Sequence, residues 1–148
     1  MAVMSLVAML GLAGCIENRD DGPGPSPTVL NVAGTWNGSL SVQGVQAQMT
    51  WLLAQTNSTV TGSALVGLPT GTVLMNGTLN GTVTGAVLTY TIAVGAGGIP
   101  SQPGCTGQLG GTANLVGTSP VSAMNGNYTV VTSSCAIPFT SGSFTMTR

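Results

Sequence analysis

Charge is almost absent from this chain. Of its 148 residues two are cationic and three acidic, and there is no histidine. The charged side chains are Glu17, Arg19, Asp20, Asp21 and Arg148, so none lies between residues 22 and 147. Each missing residue type removes a class of chemistry. Without Asp, Glu, His or Lys the region has no general acid or base that works near neutral pH. Its many serines and threonines have no base to activate them as nucleophiles. Hard cations need carboxylates, and zinc needs histidines or free thiols. Nucleic acid needs a basic surface, which Arg148 alone does not make. The region is therefore expected to be non-catalytic, to use no metal or cofactor and to bind no nucleic acid.

Long apolar runs are also missing, with one exception. Residues 2–12 form an apolar stretch of signal-peptide length, too short to span a bilayer as a mature helix. It runs into Leu12-Ala13-Gly14-Cys15, which resembles the lipobox of bacterial lipoproteins. The resemblance implies a signal peptide of residues 1–14, cleavage before Cys15, and acyl chains on the Cys15 thiol and amine. Several chains hold a protein to a membrane where one binds only marginally. Ile16 follows the cysteine, where lipoproteins kept in the inner membrane commonly carry aspartate. The expected place is thus the bacterial cell envelope, anchored at the outer membrane. Signal peptides ordinarily begin with basic residues, whereas only Met1 precedes this run. A start further upstream would supply them.

Residues 15–28 change character abruptly. Glu-Asn-Arg-Asp-Asp is followed by Gly-Pro-Gly-Pro-Ser-Pro, which sustains neither a helix nor a central strand. Such a tether is semi-rigid and spans up to about 40 Å.

Residues 29–148 suffice for one small domain with one core. Gly, Thr, Ser, Asn and Val dominate, and turn residues recur at short, regular intervals, the pattern of an all-β sandwich or barrel. Alternation of apolar and polar residues marks the strands. Trp36, Gly38, Leu40 and Val42 share one face; Val45, Ala47, Met49, Trp51 and Leu53 form the next row. Val60 to Val66, Val73 to Val83, Leu88 to Ile92, Leu109 to Leu115, Met124 to Val130, and Phe144 with Met146 continue the series. Turns are expected at Asn57-Ser58, at Thr84-Gly85-Ala86 and around Thr118-Ser119-Pro120. One face is apolar and the other polar but uncharged, as antiparallel strands over one core require. A loose rhyme of glycine, any residue, then a large apolar one recurs, as in Gly126-Asn-Tyr128 and Gly142-Ser-Phe144. Glycines within strands mark bends where a sheet curls. The reading is an antiparallel eight-stranded meander closed into a barrel, with a two-sheet β-sandwich as the alternative.

Two cysteines remain in the domain, Cys105 and Cys135, and in an exported protein they are expected to pair. A redox or nucleophilic role would call for a Cys-x-x-Cys spacing or a charged activator, and neither is present.

Gly34-Thr35-Trp36 on the first strand, with Arg148 on the inward face of the last, resembles the calycin barrels (lipocalins, avidins and relatives). There a first-strand tryptophan packs against a late arginine where the barrel closes, which assigns that role here to Trp36 and Arg148. Biotin binding is not implied: Gly38 stands where the first-strand asparagine of that site would fall, and its later tryptophans and aspartate have no counterparts.

Three functions fit these residues. A barrel could take a small apolar or uncharged ligand at its open end, with Trp36, Trp51 and Tyr90 as candidate lining residues. A structural or adhesive protein could contact other envelope proteins, polysaccharide or itself through its Thr, Ser, Asn and Gln surface, which hydrogen-bonds without desolvating charge. An inhibitor of a hydrolase could present a loop, and residues 95–104 are the candidate. A cavity would mark the first, and a filled interior the second.

Overall fold

The structure is a computed structural model and describes residues 28–42, 45–136 and 140–148, with the side chains of Val42 and Val45 excepted. The signal peptide, Cys15 and all of the tether but Thr28 lie outside the described residues. Eight strands follow one another: β1 (Gly34–Val42), β2 (Val45–Thr56), β3 (Thr59–Gly67), β4 (Val73–Thr84), β5 (Val87–Val94), β6 (Gly107–Val116), β7 (Ala123–Ser133) and β8 (Ser141–Thr147). Each pairs antiparallel with the next, and β1 also pairs with β8, through Asn37 to Leu40 against Thr147 to Phe144. The result is a closed meander barrel and not a sandwich. Among the described strands closure leaves neither β1 nor β8 as a free edge strand, which matters in a chain without the lysines that usually guard edges.

The interior faces are those the alternation marks. Trp36, Leu40, Met49, Trp51, Leu53, Val60, Leu79 and Leu88 are among the buried residues, and no polar side chain among the described residues is buried. Most apolar strand side chains point inward, and the outward faces are mainly polar, with Leu52, Leu65, Val116 and Val131 exposed among them; a membrane-spanning barrel instead turns a continuous apolar band to lipid. None of the described residues form a helix long and apolar enough to cross a membrane.

The glycine rhyme acquires a physical meaning from the register. Gly126 on β7 stands opposite Phe144 on β8, and Tyr128 stands opposite Gly142. The Phe144 ring lies against the position a Gly126 side chain would take, and the Tyr128 ring does the same at Gly142. Antiparallel pairing of two Gly-x-aromatic segments sets each ring over the other strand's glycine. Such rings cover bare backbone where the sheet bends sharply.

One end of the barrel is closed. Residues 28–33 run across it, and Val32 and Val121, both fully buried, fill the opening. Gln55 fastens this segment: its Oε1 accepts from the Val32 amide at 2.7 Å, and its Nε2 donates to the Leu30 carbonyl at 3.0 Å. The Trp36 indole N–H donates to the Val32 carbonyl at 2.8 Å. Arg148 completes the closure. Its Nε donates to the Val121 carbonyl, and its terminal nitrogens donate to Ala33 and Asn31 at 2.6 and 2.9 Å. Its guanidinium lies 4.8 Å from the Trp36 ring centroid, a cation–π contact that contributes about 0.5–2 kcal/mol. First strand, last residue and plug are thus held at one point.

The turns at this end are tight. Asn57 takes a left-handed backbone (φ 55°) in the β2–β3 turn, a conformation asparagine tolerates better than most residues. The β4–β5 turn uses Gly85 at φ 57°, and the β6–β7 turn contains a cis Ser119–Pro120 peptide.

Candidate functional site

Three rings cross the middle of the barrel. Trp51 meets Tyr90 at 4.9 Å and Phe144 at 5.1 Å between ring centroids, and Tyr90 meets Phe144 at 6.1 Å, all edge to face. Below this layer, toward Arg148, Val32, Trp36, Val121, Met124 and Met146 are buried together. Above it lies a cavity of about 290 Å³ open toward the other end. The layer is its floor, and its wall carries Leu40, Met49, Val66, Ile92, Leu109 and Val130. Tyr128 also lines the cavity, and apart from the ring residues Trp51, Tyr90 and Tyr128 the polar side chains among the described lining residues stand at the rim: Ser101, Gln102, Gln108, Thr132 and Ser133. None of the lining residues carries a charge.

Of the candidate lining residues, the structure brings Trp51 and Tyr90 to this cavity. Trp36 is not among the lining residues; its indole belongs to the closed end, hydrogen-bonded to Val32. Tyr90 donates its hydroxyl to the Asn127 carbonyl at 2.8 Å, so its polar end is occupied. The Trp51 indole nitrogen is buried with no hydrogen-bond acceptor among the described residues.

Two bulges shape the rim. Between β3 and β4 the register passes from Val66–Met75 to Gly67–Val73, which leaves Leu74 as the extra residue. Strict alternation would point Leu74 outward; the bulge lets it line the cavity while remaining 37% exposed. The second lies between β6 and β7, where Gln108 pairs with Thr132 and Leu109 with Val130, so Val131 is extra. Bulges commonly re-aim side chains at barrel rims and beside functional sites.

The β5–β6 loop, residues 95–106, folds over part of the mouth. Ile99 packs against the core and lines the cavity. Gly97 donates to the Pro103 carbonyl at 2.7 Å, and Asn76 of β4 donates to Gly98 at 2.7 Å. A disulfide joins Cys105 to Cys135 in the β7–β8 loop. Gln102 makes a second tie beside it: its Nε2 donates to the Ala136 carbonyl and its Oε1 accepts from the Ala136 amide, both at 2.8 Å. The segment considered as an inhibitor's contact loop therefore turns its largest apolar side chain inward. Leu74, Ile99 and Leu109 were not singled out as lining residues from the sequence, because a bulge, a Gly/Pro-rich loop and an ordinary strand position carry no local mark of a cavity.

Burial first, and neighbouring Tyr128 second, hold the Tyr90 phenol well above the ordinary tyrosine range, and burial raises Tyr128 too. The folded state keeps these protons to higher pH than the unfolded chain, so stability falls as pH rises past about 10. On the acid side there is nothing comparable, since no carboxylate or imidazole side chain lies between residues 22 and 147. Urea unfolding midpoints are expected to be level from about pH 4 to 9 and to fall only in alkali. A marked loss of stability by pH 4 would contradict this.

No protein-family model, curated protein or solved structure matches the chain.

Proposed function

We propose that this protein is a non-catalytic lipoprotein of the bacterial envelope, anchored through Cys15 at the outer membrane, whose calycin-like barrel binds a small apolar or uncharged ligand. The observation that carries the binding reading is the half-hollow interior: an apolar cavity of about 290 Å³ above an aromatic floor. A protein serving only as a scaffold gains nothing from leaving that volume unfilled, and each unfilled part of a core costs packing energy. The lipobox at residues 12–15 supports the anchor, and the tether after it supports a domain held clear of the membrane. The contact between Arg148 and Trp36 supports the calycin likeness.

In this reading binding is desolvation. The ligand leaves water for a wall of methyl, methylene and ring surface, at about 25 cal/mol per Å² of apolar area removed from water. No proton moves and no bond forms.

Native mass spectrometry of the lipidated protein, taken gently from its own envelope, tests the reading. A reproducible extra mass, lost on collisional activation, is the expected result. A bare oligomer or a ladder of copies would instead support a structural or adhesive role. A bare monomer would leave a protein partner, such as a hydrolase, or a polysaccharide.

A further inference from the structure

The upper half of the barrel describes its occupant in three layers. The floor is aromatic and dry, with Trp51 fully buried and Tyr90 only 2% exposed. The wall is aliphatic, with Met49, Ile92 and Val130 among its residues. The rim is polar yet uncharged. Gln102 and Ser133 are occupied there in holding the mouth loops, Gln102 to Ala136 and Ser133 to Cys135. Gln108 and Thr132, paired across β6 and β7, are the remaining strand-borne polar side chains of the rim among the described residues. No carboxylate, ammonium or guanidinium side chain stands among the lining residues, so an ionised group brought to them would find no counter-charge.

We propose that the cavity takes a neutral amphiphile with one short aliphatic chain, tail down on the Trp51–Tyr90–Phe144 layer and head beside Gln108 and Thr132. The aromatic layer then acts as a ruler for chain length. This rests on the reading of the cavity as a ligand site. A volume of about 290 Å³ matches about ten waters at about 30 Å³ each, and a methylene is close to a water in size. The limit is therefore about ten non-hydrogen atoms. Below it, each added carbon should tighten binding about fourfold; beyond it, further carbons meet the floor or remain in water and add little.

The test uses the chain from residue 16 onward, exported so that the disulfide forms; it retains every strand, the core and both cysteines of the pair. Titration calorimetry is run with the straight-chain alcohols hexanol, octanol, decanol, dodecanol and tetradecanol, and with decanoic acid at pH 4 and pH 8. Affinity is expected to rise through the short alcohols and to level off near decanol. Decanoic acid is expected to bind at pH 4 and to weaken at least tenfold at pH 8. That change belongs to the ligand, because the barrel has no side chain that titrates in the interval. Phe144→Leu lowers the floor and should move the break to a longer alcohol; if that variant does not fold, the unmodified series decides alone. Affinity that climbs evenly through tetradecanol overturns the ruler. Decanoate that binds at pH 8 as well as decanol overturns the neutral head, while both results keep the cavity as a binding site. No heat from any alcohol up to its solubility limit at either a low or a high temperature, where the heat-capacity change of apolar burial would give a signal, together with no co-purified mass, removes the binding reading itself.

Discussion

Replacing Cys105 and Cys135 together by serine is expected to lower the free energy of unfolding by about 3–4 kcal/mol. The two residues are 30 apart in sequence, and their bond closes a loop containing β6 and β7. Without it the unfolded chain regains the conformational freedom the loop had denied it, a cost that grows slowly with loop length. The native state also loses the covalent tie between the β5–β6 and β7–β8 loops, keeping the hydrogen bonds of Gln102 with Ala136 and of Thr106 with Ser134. The consequence reaches the cavity, since Ile99 is carried by the loop that the disulfide pins. Urea unfolding of the double variant, beside the parent with and without reductant, measures the effect. A difference below about 1 kcal/mol would mean that the hydrogen bonds at Gln102 and at Thr106 restrain the mouth by themselves.

Trp51→Ala is expected to cost about 3–5 kcal/mol, the range for deleting a large ring from a packed core. Trp51 is fully buried and touches both other rings of the floor, so its removal strips Tyr90 and Phe144 of edge-to-face partners. The cavity would then extend downward, and longer alcohols should gain affinity relative to decanol. Trp51→Phe separates ring from nitrogen. The indole N–H is buried without an acceptor, and leaving such a donor unpaired costs about 1–3 kcal/mol. Phenylalanine keeps an aromatic edge and removes the unpaired donor, so it should cost well under half as much as alanine. Chemical denaturation of the two variants gives the comparison; equal losses would mean that the indole nitrogen is satisfied in solution.

Legibility differed sharply from one part of the molecule to another. Strand faces could be read residue by residue, because alternation is a local steric property of an extended chain with one dry side. Trp36, Met49, Trp51, Val60, Leu79, Leu88, Met124 and Phe144 all lie where that period puts them. The Cys105–Cys135 bond was expected from an exported context and is formed. Val32 and Val121 are fully buried yet lie in segments with no period to reveal them. Leu74 was hidden by a bulge, which changes which way a side chain points without changing the composition around it. Closure itself was open: a barrel and a sandwich bury the same alternating faces, and the pairing of Asn37 with Thr147 decides between them.

What the amino-acid sequence determined alone was the chemistry withheld and the faces of the strands. A stretch from residue 22 to 147 holds no carboxylate, ammonium, guanidinium or imidazole side chain whatever shape it takes, and alternation sorts inside from outside within a few residues. Tertiary structure alone decided that the sheet closes, that residues 28–33 plug one end, and that three rings leave the other end hollow. The reason is range. A strand's faces follow from neighbours two positions apart, whereas a cavity is the difference between a barrel's volume and the side chains that all its strands send inward.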